Sequence, residues 1–371
     1  MLIYNLLLAA AAAGIILGKV RHGKLIFCIF DGLLLFAAAA CRCHVGHDYN
    51  SYGSFYIDCM SMTEEELSHL RMEKGYVMLS KLTADYIVPY HTIFIVMGLI
   101  IIVPVMIYIY KYSELPYLSV FGFLTLGVYF NSLNFIRQII AAVIVMWGLR
   151  YIEKGSFFRF AVIVVFASCF HVSALIMLAF WFILRIDITP AVLAVYSAVS
   201  VLIFIFSWDI VSFVTKYAYR TYDPADSIYM QLGLPPYCTI YFGIIFLAAF
   251  LLRKPLKEKN KYSSVMINCM FFAVLFEFIG MKHSIISRLS LYFLVPASLE
   301  LIPMIGEVLP DRIASFFKGN KKKQAVSKAA AVFLSAAFCI GMYEYLLSVD
   351  YNGVMPYHTI FAERAGIQYE K

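Results

Sequence analysis

The chain has 371 residues and a net charge of +7; it is 62% hydrophobic and only 14% charged, with a mean hydropathy of +0.81. A soluble domain carries about 25% charged residues, so this much apolar surface exceeds one globular core and needs lipid around it, which excludes a soluble enzyme. The basic excess falls in short loops between apolar runs, where it orients spans rather than forming a nucleic-acid surface, and the short alternating strands of a β-barrel are absent.

Apolar runs long enough to span a bilayer recur along the whole chain. They predict an all-α, polytopic integral membrane protein, a single membrane domain over 1–371. The expected spans are about 2–17, 25–41, 91–110, 117–133, 138–152, 157–170, 171–184, 190–207, 236–252, 263–280, 286–306 and 327–347, or about twelve transmembrane helices, some short or broken. No basic residue precedes the first run and no clear cleavage site follows it, so it does not read as a signal peptide. The basic cluster "KVRHGK" (19–24) comes after it and places Met1 outside.

The longest outer loop is 42–90. It contains "GHDYNSYGSFY" (46–56), then "TEEEL" (63–67), which reads as a capped helix start, then 75–90, whose aromatic ends and mixed face suit a helix lying at the interface. Cys41-x-Cys43 is too isolated for a zinc site, since no second ligand pair follows at a suitable spacing. A Cys43–Cys59 disulfide is compatible with an outer loop, but nothing demands it.

Two stretches must go out and return. In 117–152 the turn is expected near "NSLNFIRQ" (131–138). The 28 apolar residues of 157–184 are long for one helix and short for two. Read as a tight pair, they put "RKPLKEKNKY" (253–262) and "KGNKKK" (318–323) inside, so that inner loops hold most of the Lys and Arg and outer segments most of the acids. Broken helices are tolerated where they line a protein cavity rather than lipid, so both turns point to a polar cavity open to the outer face. The segment 348–371 is an outer tail. No regular repeat and no strong inverted repeat is present.

Five constellations can carry chemistry. On a helix, Asn131, Asn134 and Gln138 share one face beside Arg137; an arginine at a span is costly and marks a function or a partner, and its planar fork suits phosphate oxygens. The alternative is an arginine snorkelling to the interface. His171, flanked by Ser168 and Ser173, can hold or take a hydroxyl proton near neutral pH, or simply be a hydrogen-bonded structural residue. Lys282, His283 and Arg288 lie at an outer helix start, with Tyr292 four residues after Arg288 on the same face; headgroup anchoring is the plainer reading. In the first loop Asp48, Tyr49 and Tyr52 are neighbours on one helical turn, and Glu73 precedes "KGY". Tyrosine faces stack on sugar rings and carboxylates accept from sugar hydroxyls; a solvated loop explains them equally well. The tail "NGVMPYHTIF" (352–361) either folds back over the cavity or is disordered.

Walker A, GxGxxG, HExxH, GxSxG and Asp-x-Asp patterns are all missing. No metal and no cofactor is expected. Asp31, Glu277 and Glu300 lie inside spans without regular spacing, as acids paired within a bundle do, although acids there can also relay protons.

Taken in order, "GHDYNSY", "EKGYVMLSKL" (73–82), "NFIRQIIA" (134–141), "FHVSAL" (170–175), "SRLSLYF" (287–293) and "VMPYHTIF" (354–361) resemble the EpsG/Wzy-type polysaccharide polymerase family. The resemblance covers most of the chain. It implies a GT-C-like glycosyltransferase of the bacterial cytoplasmic membrane, with its active site facing outside. It further implies the polymerisation of lipid-linked oligosaccharide repeat units for exopolysaccharide, capsule or O-antigen. The partners would be a polyprenyl-diphosphate-linked oligosaccharide, the growing glycan, the bilayer and a chain-length regulator, with no nucleic acid. Arg137 and Arg288 would stabilise the leaving diphosphate without a metal. His171 and Asp48 would handle the acceptor proton. Tyr49, Tyr52, Glu73, Asn134, Gln138 and Tyr292 would bind substrate. The rival readings are a flippase or transporter of lipid-linked glycans, and a ligase that shares the donor and differs in its acceptor.

Overall fold

The computed structural model describes residues 1–70, 72–86, 90–210, 212, 232–317 and 319–364. Parts of the expected interfacial helix (87–89) and tail (365–371), and Lys318, lie outside the described residues. The described chain is helical apart from a two-residue ribbon, β1 (Arg42–Cys43) paired antiparallel with β2 (His358–Thr359).

The chain opens with α1 (Leu2–Leu17) and α2 (Gly23–Ala40). Three shorter helices, α3 (Tyr49–Ser61), α4 (Glu64–His69) and α5 (Lys74–Tyr86), fill the long loop. The start of α4 is the expected capping box: the Glu66 amide donates to Thr63 Oγ1 at 3.3 Å, and the Thr63 amide donates to Glu66 Oε2 at 2.8 Å. Then come α6 (Thr92–Tyr112), α7 (Pro116–Thr125), α8 (Val128–Asn134), α9 (Ile136–Glu153) and α10 (Phe157–Ser168). A 3-10 turn (Val172–Leu175) leads into α11 (Ile176–Ile183) and α12 (Pro190–Ile205). Further on are α13 (Tyr237–Leu251), α14 (Arg253–Lys259) and α15 (Ser263–Gly280). The short α16 (Ser284–Ser287) and a 3-10 turn (Arg288–Ser290) precede α17 (Leu291–Ala314), α18 (Lys321–Ser348) and α19 (Ile360–Arg364).

Among the described residues five helices are long and apolar enough to cross a membrane, or six if α13 and α14, bent by 68°, form one span. Shorter apolar helices, α1, α7, α10, α12 and the pair of the 3-10 turn with α11, accompany them. Helix α9 has comparable length but carries Arg137, Arg150 and Glu153. The fold is therefore an all-α, polytopic membrane bundle. Its centre is α15, 83% of whose apolar window is buried, packed on α17 and α13. Helix α18, at 11%, turns nearly all of its surface outward to lipid.

The 28-residue apolar stretch does fold back. The Phe160 and Trp181 ring centroids lie 5.2 Å apart, whereas a continuous helix would separate those residues by about 30 Å. The other turn falls at Phe135, where φ −90° and ψ 54° interrupt the helix between α8 and α9. Asn131 and Asn134 therefore sit before the break and Gln138 after it, so the three amides do not share one helical face as the spacing predicts. No Gly or Pro marks the break.

At the end of the bundle away from this turn, Arg150 Nη2 pairs with Glu300 Oε2 at 2.6 Å, and Tyr108 hydrogen-bonds both partners. Two more rings, Tyr112 and Tyr262, cover the guanidinium at 4.0 and 4.1 Å. Of the other acids in spans, Glu277 accepts from Ser290 Oγ at 2.8 Å, and Asp31 is buried with one oxygen unpartnered. Glu300→Leu strands the Arg150 charge and is expected to cost about 3–5 kcal/mol. Tyr108→Phe removes only a hydroxyl and costs about 1–2 kcal/mol. Thermal unfolding of both variants in detergent checks the order; equal Tm losses would contradict it.

Candidate active site

The helix breaks meet at one end of the bundle, and α5 is the piece that joins them. Its entry residue Gly75 donates from its amide to Cys169 O at 2.8 Å. A Cβ on Gly75 would lie 2.7 Å from that same oxygen, so the close approach needs glycine. The docking carries Glu73 over the start of α9. Glu73 Oε2 forms an ion pair with Arg137 Nη1, and its Oε1 faces the Val172 amide at 3.4 Å. Tyr76 places its ring 5.6 Å from the Arg137 guanidinium, and Tyr52 hydrogen-bonds the same arginine. The Arg137 side chain stays 29% exposed, so one side of the guanidinium remains open.

His171 occupies the turn between α10 and α11. Its Nδ1 lies 2.7 Å from Ser173 Oγ and 3.4 Å from the Ser173 amide, and Ser173 Oγ lies 2.9 Å from the Tyr292 hydroxyl. An amide can only donate, so Nδ1 is the acceptor here, and in the neutral ring the proton sits on Nε2. Burial pushes the His171 pKa down from 6.5 to about 4; Glu73 opposes this, and the charges of Arg137 and Arg288 reinforce it. The imidazole is thus a neutral Nε2–H donor that feels the charge of two guanidinia. Arg288 lies over the Phe135 ring at 4.4 Å, and Gln138 Nε2 donates to Arg288 O at 2.7 Å. Arg137 and Arg288 both act on His171 by their charge, and a planar guanidinium is a fork of the kind that suits phosphate oxygens.

The Asp48 charge acts on Tyr52, which hydrogen-bonds Arg137. Asp48 is the N-cap of α3, half-buried, and its amide donates to Asn134 Oδ1 at 3.0 Å. Asn134 and Asn131 face the tail. Asn352 Nδ2 donates to Asn131 Oδ1 at 2.9 Å, and the Gly46 amide donates to Gly353 O at 2.8 Å. The tail therefore folds back onto the first loop. Tyr49 points elsewhere: it is 1% exposed and stacks on Phe94 at 4.1 Å with an interplanar angle of 6°. Tyr292 is fully buried beneath Ser173.

Of the remaining residues singled out in the sequence, Ser168 turns back to Val165 O, Lys282 donates to Phe204 O, and His283 meets Ser207. These three are engaged away from the arginines. Tyr76 was not singled out by its sequence context, although it lies in the "EKGY" stretch that carries Glu73.

A family model described as the EpsG family matches residues 25–359. Neither a curated protein nor a solved structure matches the chain.

Glu73→Gln leaves Arg137 without its counter-charge and is expected to cost about 2 kcal/mol, the loss of a hydrogen bond to a charged group. In the double variant with Arg137→Met, much of that loss should be absent because the pair goes together. Additive losses in a thermal-unfolding cycle would show that the two residues are not coupled.

Proposed function

The chain belongs to the EpsG family, and from that membership we propose that it is a polymerase of lipid-linked oligosaccharide repeat units. The donor would be a glycan on polyprenyl diphosphate, and the acceptor a sugar hydroxyl of another lipid-linked glycan. The observation that carries the reading is that two guanidinia, Arg137 and Arg288, both act on His171 by their charge. The acceptor oxygen bonds to the anomeric carbon as the bond to the diphosphate oxygen breaks, and polyprenyl diphosphate leaves with the bonding pair. Charge develops on the diphosphate, where two fixed guanidinia stabilise it with little reorganisation. The Nε2–H of His171 donates to the same oxygens. With its Nδ1 engaged by Ser173 and a weakly basic ring, His171 is poorly suited to remove a proton. Asp48 takes the acceptor proton in this scheme, and its amide is anchored on Asn134. Tyr49, Asn134, Gln138 and Tyr292 then shape the site from behind, and Glu73 orients Arg137.

The site end is assigned to the outer face of a bacterial cytoplasmic membrane. Supporting this, the opposite end carries the Lys257–Asp187, Lys259–Glu307 and Lys328–Asp311 pairs within the most basic loops.

Purified protein in lipid, given one lipid-linked repeat unit, should produce a ladder of longer glycans and free polyprenyl diphosphate. Arg137→Ala and Arg288→Ala should each lower the rate about 10²–10³-fold. An intact ladder in both variants would refute the site, and a unit that only crosses the bilayer would favour a transporter. Because the His171 pKa is lowered, its ring is neutral above about 4, so no break in rate is expected near 6.5. A break at 6.5 that disappears in His171→Gln would overturn the role given to this residue.

A further inference from the structure

A second cluster lies at the rim of the same end and takes no part in the chemistry above. Cys43 ends β1, His44 follows it, and Glu363 lies on α19; the β1–β2 ribbon brings the two segments together. Cys43 Sγ lies 2.8 Å from Glu363 Oε2, His44 Nε2 lies 3.6 Å from Glu363 Oε1, and one donor atom from each residue falls within 4.8 Å of the others. Cysteine, histidine and glutamate are all ligands of zinc. At ordinary zinc distances a tetrahedral set keeps its donors about 3.3–3.8 Å apart. The exposed His44 and Glu363 side chains have room to turn toward that spacing.

Two further observations bear on the cluster. His44 Nδ1 lies 3.0 Å from Asn50 Oδ1. The amide oxygen can only accept, so Nδ1 carries a proton, and in the neutral ring the lone pair on Nε2 points toward Glu363. This is the arrangement that fixes a metal-binding histidine. It also sets an imidazole lone pair against a carboxylate and a sulfur, an arrangement that a cation between them stabilises. His44 itself adopts φ +52°, a left-handed conformation uncommon outside glycine. The ribbon thus holds strained backbone at the residue that aims its ring at the cluster.

The geometry assigns Cys43, His44 and Glu363 as a zinc site that clasps the C-terminal segment to the first loop. Cys43 is buried at 2% exposure, whereas the His44 and Glu363 side chains are 56% and 58% exposed. The ion therefore sits in a shallow cup with its sulfur ligand beneath and a solvent-facing fourth position for water. Binding converts the Cys43 thiol to a thiolate and releases its proton to solvent. The metal has no role in glycan transfer; it joins two segments that lie far apart in the chain.

The test uses the full chain in detergent, stripped with a chelator and then loaded with Co²⁺ or Zn²⁺. Thiolate ligation gives Co²⁺ an intense charge-transfer band in the near ultraviolet. The band is expected in the wild type and in Cys169→Ser, whose cysteine is exposed elsewhere, and should be lost in Cys43→Ser. His44→Ala and Glu363→Gln alter exposed side chains and should fold normally. Each is expected to weaken Zn²⁺ binding at least tenfold, and Asn50→Ala about 10–100-fold, as loss of an outer-shell partner does. Absence of the Co²⁺ band, or Zn²⁺ uptake in His44→Ala equal to wild type, overturns the site. Both readouts follow the metal alone and stand apart from any polymerisation result.

Discussion

A helix broken inside a lipid-solvated bundle frees backbone groups that lipid cannot satisfy, and the site end of this protein is organised around partners for them. The Gly75 amide reaches the Cys169 carbonyl at the α10 break. Glu73 faces the Val172 amide. Gln138 caps the Arg288 carbonyl, and Asn131 Nδ2 returns to Gly127 O. Arg42, fully buried, donates to Ala39 O at the end of α2 and to Leu133 O at the end of α8. Each partner comes with polarity of its own, so closing the breaks also collects Arg137, His171 and Arg288 in one place. The cluster follows from the need to satisfy the backbone as much as from chemistry.

The same low-dielectric setting shapes the electrostatics. Both ends of the bundle hold an arginine from α9, and the two are treated differently. Arg150 is enclosed by Glu300 and three tyrosines. Arg137 is paired with Glu73, touches Tyr52 and Tyr76, and keeps 29% of its side chain exposed. One helix thus uses one cation to hold the bundle together and leaves the other part-exposed.

Much of this was legible in the sequence, for identifiable reasons. The hairpin at His171 could be read because 28 apolar residues suit neither one span nor two full ones, and because the basic loops only sort properly if the chain turns there. The order of the polar stretches pointed to the family. A turn within 131–138 was expected, but its position at Phe135, between Asn134 and Gln138, could not be read, because no Gly or Pro marks it. The common face for Asn131, Asn134 and Gln138 failed with it. The burial of Tyr49 was hidden because a tyrosine in a polar loop looks the same whether it meets a sugar or Phe94. Cys43 and Glu363 are 320 positions apart, beyond any spacing rule.

The asparagine contacts between the tail and the first loop also bear on how the protein is made. Spans enter the membrane in the order in which they are synthesised. Asn131, Asn134 and Gly46 emerge early, while their partners Asn352 and Gly353 emerge after the last span. The Met1 amine, too, meets Met355 Sδ at 3.2 Å. The first loop therefore waits, incompletely held, through nearly the whole of translation, and a chain cut short after α18 would be inserted yet unfinished at its working end. Joining of the first loop to the tail therefore depends on residues made after α18.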